Sequence, residues 1–286
     1  MKLRLAVLAV AVLIAWGLKR HYADARADDL AWILSPTARV VGVMAGTTFA
    51  PEPGEGYLSR DRMFVIEKAC AGINFMIAAF AMLMVALRHR IRSPLSGACV
   101  LVVSLVASYS TAVLVNAGRI GLAMWLATHP VAVARLSAAE MHRLEGVVVY
   151  FGGLVLLYEV VQRLEGRTLW VGWRLPLAVY YTVALAVPLA NGASRSGGFL
   201  AHALVVLLVP PVLIVLGRGV CAAVHALAIR VQYRGPLRPA SAIETPRLSV
   251  GWGTIYPLSR RAYVCPEHWR PRRPRPVRRR HREPRE

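Results

Sequence analysis

Long apolar runs alternate along the chain with short basic or Gly/Pro-rich breaks. A hydrocarbon core of about 30 Å needs about 20 apolar residues in helical form. Leu3 to Leu18, Ala69 to Leu87, Leu95 to about Ala117, Val147 to Val161, Leu175 to Leu189 and Phe199 to Leu216 approach or meet that length. The pattern predicts an all-α fold, a polytopic transmembrane helical bundle of about six spans plus interfacial helices. Leu30 to Ala50 is apolar but carries Pro36 and Arg39, which predicts an interfacial or re-entrant segment. Pro51-Glu52-Pro53-Gly54-Glu55-Gly56 reads as a loop. Residues 119–144 read as an outer amphipathic connection, and 219–230 as a short cytoplasmic helix.

The charge pattern orients these spans. Arg88-His89-Arg90-Ile91-Arg92 is the strongest cytoplasmic marker, and Arg163, Arg167, Arg174 and Arg218 agree with it. Asp24, Asp28, Asp29 and the acidic stretch 51–56 fit the outer side. The first segment reads as an anchor, or as a signal peptide with a small-residue exit at Ala23-Asp24-Ala25. Six spans place both termini in the cytoplasm.

Composition narrows the class further. The 286 residues are 56% hydrophobic, too apolar for an ordinary soluble domain. A net charge of +20 raises nucleic acid as a partner, but its distribution argues against that. Lysine occurs only at positions 2, 19 and 68, and much of the arginine lies between Arg270 and Arg285 among Pro271, Pro274, Pro276 and Pro284. Like-charge repulsion and proline disfavour a packed core there. Two parts follow: a membrane-embedded domain at 1–230 and an Arg/Pro-rich, disordered cytoplasmic tail at 231–286. Membrane lipids are the expected partner of the tail, and nucleic acid is not. Cys70, Cys99, Cys221 and Cys265 form no tight pair. Cys265-Pro-Glu-His268 supplies half the ligands that zinc needs, so no metal or cofactor is expected.

On the six-span path Cys70 begins a span from outside, Arg119 ends one there, and His142 precedes the next inward span. A thiolate attacks carbonyls, an imidazole takes its proton, and a guanidinium fork grips a carboxylate or oxyanion. Each residue has a plain alternative. Cys70 would be a packing residue, Arg119 a side chain snorkelling to headgroups, and His142 a hydrogen-bonded interfacial histidine. Glu67 and Glu145 are placed to orient His142 or Arg119. Asn116, Gly72 and Gly146 read as structural, for close helix approach and capping. His129, Cys99, His202, His225 and Ser194-Arg195-Ser196 pair with nothing obvious in the sequence.

Three blocks carry a resemblance: Ala69-Cys70-Ala71-Gly72-Ile73-Asn74-Phe75, Asn116-Ala117-Gly118-Arg119-Ile120 and His142-Arg143-Leu144-Glu145-Gly146-Val147. In order and spacing they resemble the motifs of exosortases and archaeosortases, most closely the exosortase K branch. Tyr57-Leu58-Ser59-Arg60-Asp61 adds to the likeness, which covers about 34–158. The resemblance implies a membrane cysteine transpeptidase with catalytic Cys70, Arg119 and His142. It implies substrates that are exported proteins with a C-terminal sorting tail: a short motif, an apolar helix and a basic cluster. It also implies a bacterial inner membrane, with the site facing the periplasm. Two other classes stand beside it. A transport or envelope-assembly protein would carry ionisable groups deep inside its spans. A lipid-modifying enzyme would use Arg119 and His142 and be indifferent to Cys70.

Overall fold

The computed structural model describes residues 1–129, 138–166, 173–190 and 198–233. The elements are α1 (Lys2–Asp24), α2 (Ala31–Ala45), strands β1 (Phe49–Glu52), β2 (Gly56–Ser59) and β3 (Val65–Ile66), then α3 (Ile73–Ala86) and α4 (Pro94–Thr128). After them come α5 (Ala138–Leu164), α6 (Arg174–Tyr181), a π-helical turn (Thr182–Ala186), α7 (Val187–Ala190) and α8 (Phe199–Tyr233). Among the described residues four helices are long and apolar enough to cross a membrane: Lys68–Ala86, Pro94–Thr128, Glu140–Leu164 and Phe199–Val220.

Helix α3 is apolar on every side and is buried all round, from Phe75 and Met76 to Leu83 and Met84. Helix α1 runs antiparallel to it over its whole length. Arg4 Nε donates to the Ile91 carbonyl beyond one end of α3, and Lys19 Nζ donates to Asn74 Oδ1 at the other. Helix α4 starts at a capping box, with Ser93 as cap and Pro94 in the first turn. It runs back along α3. Helix α2 lies parallel to α4: Trp32 stacks on Tyr109 with centroids 5.9 Å apart, and a Cβ at Gly121 would sit 3.3 Å from Met44 Cε. Helix α5 then returns along α4, with Gly153 against Val115.

Several expectations need correction. The fold is mostly helical but not wholly so: 51–52 and 56 lie in a three-stranded antiparallel sheet of order β1-β2-β3, and 53–55 form the turn between its first two strands. Phe49 pairs with Ser59 and Glu52 with Gly56, while Leu58 pairs with Val65. Pro51 is tolerated because β1 is an edge strand. The stretch 30–50 is helical over Ala31–Ala45. Its helix buries Leu30, Ile33, Leu34 and Val41 in the main core and then feeds β1. The third span does not stop at Ala117. Gly118 and Gly121 each cost a helix about 1 kcal/mol, but no proline intervenes before Pro130, so α4 continues to Thr128. Its 35 residues reach about 50 Å, well beyond a bilayer core. Residues 138–144 open α5 rather than belonging to a separate connection, and 219–230 continue α8 rather than forming a short helix of their own. Residues 174–190 make a 17-residue apolar helix, shorter than a full span. The segments 130–137, 167–172, 191–197 and 234–286 lie outside the described residues, and with them nearly all of the basic tail, Ser194–Ser196 and Cys265–His268.

At one end of the bundle the basic turn after α3 meets the end of α5. Glu165 binds His89 Nε2 at 2.7 Å and Arg90 Nη2 at 2.5 Å. These bonds, the one from Arg90 foremost, hold the Glu165 carboxyl below the usual range. His142 lies 23 residues before Glu165, and Cys70 lies 20 before Arg90. At about 1.5 Å per residue, both stand roughly 30 Å away, toward the opposite end.

Candidate active site

The sheet sets the position of Cys70. Ser59 Oγ donates to Asp61 Oδ1 at 2.5 Å and accepts from Phe64 N, which closes the turn between β2 and β3. The Ser59 bond, with a second from Met63 N, holds the Asp61 carboxyl below its ordinary value. From β3 the chain enters a 3-10 turn, Lys68–Ala71. Lys68 Nζ caps α1 by donating to the Ala23 and Ala25 carbonyls, at 3.1 and 2.7 Å. Cys70 therefore sits in this turn, half-buried, and not in the first turn of α3 as its sequence suggested. Gly72, at φ +67°, makes the reversal into α3.

A chain of hydrogen bonds leads away from that turn. Asn116 Nδ2 on α4 donates to the Cys70 carbonyl. Asn116 Oδ1 accepts from the Tyr150 hydroxyl of α5 at 2.9 Å. That hydroxyl accepts from Arg119 Nη1 at 2.8 Å, and Arg119 Nη2 lies 2.8 Å from His142 Nε2. A guanidinium only donates, so Nε2 carries the lone pair and the imidazole proton is assigned to Nδ1. Nδ1 is 3.8 Å from Glu145 Oε2, one helical turn on. The Tyr150 ring is held between Phe75, with centroids 5.3 Å apart, and the Arg119 guanidinium, 5.4 Å from the ring centre.

The three residues marked in the sequence thus meet in one network, brought by three separate elements. Arg119 and His142 touch directly. Cys70 joins through its carbonyl, and its thiol, within electrostatic range of Arg119, makes no hydrogen bond among the described residues. Arg119 does not end a span at the surface. It lies inside α4 and is 8% exposed. Two buried polar atoms here lack partners among the described residues: Arg119 Nε and Glu145 Oε1. Such atoms are scarce in folded proteins and concentrate where a ligand or a moving group completes them.

A cavity of about 300 Å³ opens beside His142. Its walls come from α3 (Phe75, Ala78), α5 (His142, Tyr150, Leu154), the 174–190 helix (Tyr180, Val183, Pro188) and α8 (His202). Its lining is mostly apolar, and the His142 side chain on its wall is 58% exposed. Tyr150 was missed in the sequence. The signal was positional: 142, 146 and 150 share one face of α5, and 116 and 119 share one face of α4. Of the remaining candidates, His202 lines the cavity, and His129 and Cys99 stand apart. His129 stacks on Trp125, 5.1 Å between centroids, and Cys99 is exposed near the start of α4. Among the described residues no cluster of three His, Cys, Asp or Glu side chains is placed to hold a metal.

No family model matches the chain, and no curated protein or solved structure matches it either.

Proposed function

We propose that this protein is a membrane cysteine transpeptidase or endopeptidase that cleaves C-terminal sorting tails of exported proteins through a thioester at Cys70. One observation carries the reading: a single hydrogen-bond network ties the Cys70 turn to the Arg119–His142 pair across α4 and α5. Such a constellation serves acyl transfer. Cys70 Sγ gives its proton to His142 Nε2 and bonds the scissile carbonyl carbon, whose π electrons move to oxygen. Arg119, having turned from the imidazole to the carbonyl oxygen and so freed Nε2 for the proton, holds the resulting oxyanion. The tetrahedral adduct collapses as the C–N bond breaks and His142 returns the proton to the leaving amine. Water or an acceptor amine then cleaves the thioester. On this reading the enzyme sits in the bacterial inner membrane with the site toward the periplasm, and the adjoining cavity admits apolar substrate from the bilayer side.

The test is a comparison of envelope proteomes from strains carrying the native gene and Cys70→Ala. Exported proteins ending in a motif, one apolar helix and a basic cluster should keep that tail only in the variant strain. The variant protein should still be present in the membrane. Normal tail removal by Cys70→Ala would sink the assignment. A second reading, transport or envelope assembly, draws on the π turn at Thr182–Ala186 beside the cavity and on the buried Arg119. It makes Cys70 dispensable and Arg119 essential, so the same strains separate the two.

A further inference from the structure

We propose that Glu145 is the positioning carboxylate of His142, holding the imidazole from its Nδ1 side and supporting the imidazolium formed when Cys70 gives up its proton. This rests on the cysteine-transferase reading above. The geometry supplies the reason. Arg119 Nη2 occupies His142 Nε2 at 2.8 Å, so the Nδ1 proton must point elsewhere. Glu145 Oε2 stands 3.8 Å from Nδ1, just beyond hydrogen-bond reach. Its side chain is 3% exposed, whereas that of His142 is 58% exposed. The carboxylate is therefore fixed inside the bundle while the ring stands at the cavity mouth.

Glu145 has capacity to spare, because Oε1 has no partner among the described residues. Burial of an acid with an empty lone pair is costly unless the charge has work to do. Arg119 is within electrostatic range, but no hydrogen bond joins the two, and Arg119 Nε is itself unpartnered. The resting arrangement is therefore incomplete on both sides. When Arg119 turns to the scissile carbonyl oxygen, Nε2 is freed for the thiol proton. The new imidazolium has two N–H donors, and contraction of the 3.8 Å gap to a hydrogen bond lets Glu145 take the Nδ1 side. The proton stays on the imidazole, and no other bond changes. The groups facing the pair are Arg119 from α4, Cys70 and Glu67 from the turn before α3, Tyr150 and Arg143 from α5, and His202 from α8.

The experiment uses full-length protein in detergent micelles with Cys99→Ser, Cys221→Ser and Cys265→Ser, so that Cys70 alone reacts. Iodoacetamide alkylation of Cys70 is followed by mass spectrometry across about pH 5 to 10. The native site should show an inflection where His142 loses its proton, absent in His142→Ala. Removing a negative charge disfavours the imidazolium, so Glu145→Gln should move that inflection to lower pH. A shift of about one unit is expected, about tenfold in proton affinity. Glu145→Asp, which keeps the charge, should return most of it, and this arm remains informative if Glu145→Gln folds poorly. An unmoved inflection in Glu145→Gln with lowered thermal stability would make the acid a mere counter-ion of Arg119 and overturn the proposal. If His142→Ala instead left the native profile unchanged, the cysteine–histidine reading itself would fail.

Discussion

Gly72→Ala tests how the Cys70 turn is held. Gly72 lies at φ +67°, where an alanine costs about 1–2 kcal/mol. Its new methyl would stand 3.1 Å from Asn116 Cγ, 3.2 Å from Cβ and 3.3 Å from Nδ2. The amide cannot retreat freely, because Nδ2 is bonded to the Cys70 carbonyl and Oδ1 to the Tyr150 hydroxyl. Displacing it strands at least one buried polar group, at about 1–3 kcal/mol. Together these give a loss of about 2–5 kcal/mol, readable by SDS titration of the purified protein in mixed micelles. Asn116→Ala alone should cost about 1–3 kcal/mol, since it strands the same partners. In the double variant the alanine methyl at 72 enters the space that Asn116 vacates. Its loss should therefore fall short of the sum by about 1–3 kcal/mol. Additivity within about 0.5 kcal/mol would show that Asn116 does not anchor this turn.

Two further outcomes follow from the same contacts. Tyr150→Phe removes the hydroxyl between Asn116 and Arg119, and should cost about 1–3 kcal/mol in the same titration. On the proposed transpeptidase reading, it should also slow removal of sorting tails in cells without changing the amount of protein in the membrane. Glu165, whose carboxyl is held below its ordinary value by Arg90 and His89, stabilises the bundle above the unfolded carboxylate range, about pH 4. That stability is lost as pH falls through the lower folded value. Native protein should therefore exceed Glu165→Gln in SDS resistance at neutral pH, and the difference should close in acid. A gap that widened on acidification would contradict the sign.

Much of the candidate site was legible because it rests on local signals. Cys70, Arg119 and His142 stand out as polar residues beside apolar runs, and the basic stretch 88–92 places them at the other end of the bundle. The errors came from treating Arg119 as a boundary marker. Its charge is accommodated inside α4 by Tyr150 and His142, partners supplied by another helix. Tyr150 itself was invisible, because its role depends on which face of α5 meets α4. The sheet at 49–66 was hidden in the same way. Proline and glycine mark a break in both a loop and an edge hairpin, and only the pairing of β2 with β1 and β3 separates the two.

Hydropathy and charge along the chain determined that helices long enough for a bilayer exist and where they begin to turn back, since both properties are carried by neighbours in sequence. Tertiary structure alone decided that the Cys70 turn hangs from Asn116, that Arg119 meets Tyr150 and His142, and that Glu145 is buried. The reason is physical. A guanidinium or a carboxylate within an apolar helix is tolerable only when a second helix brings a counterpart, and the identity of that second helix is not written in the local pattern.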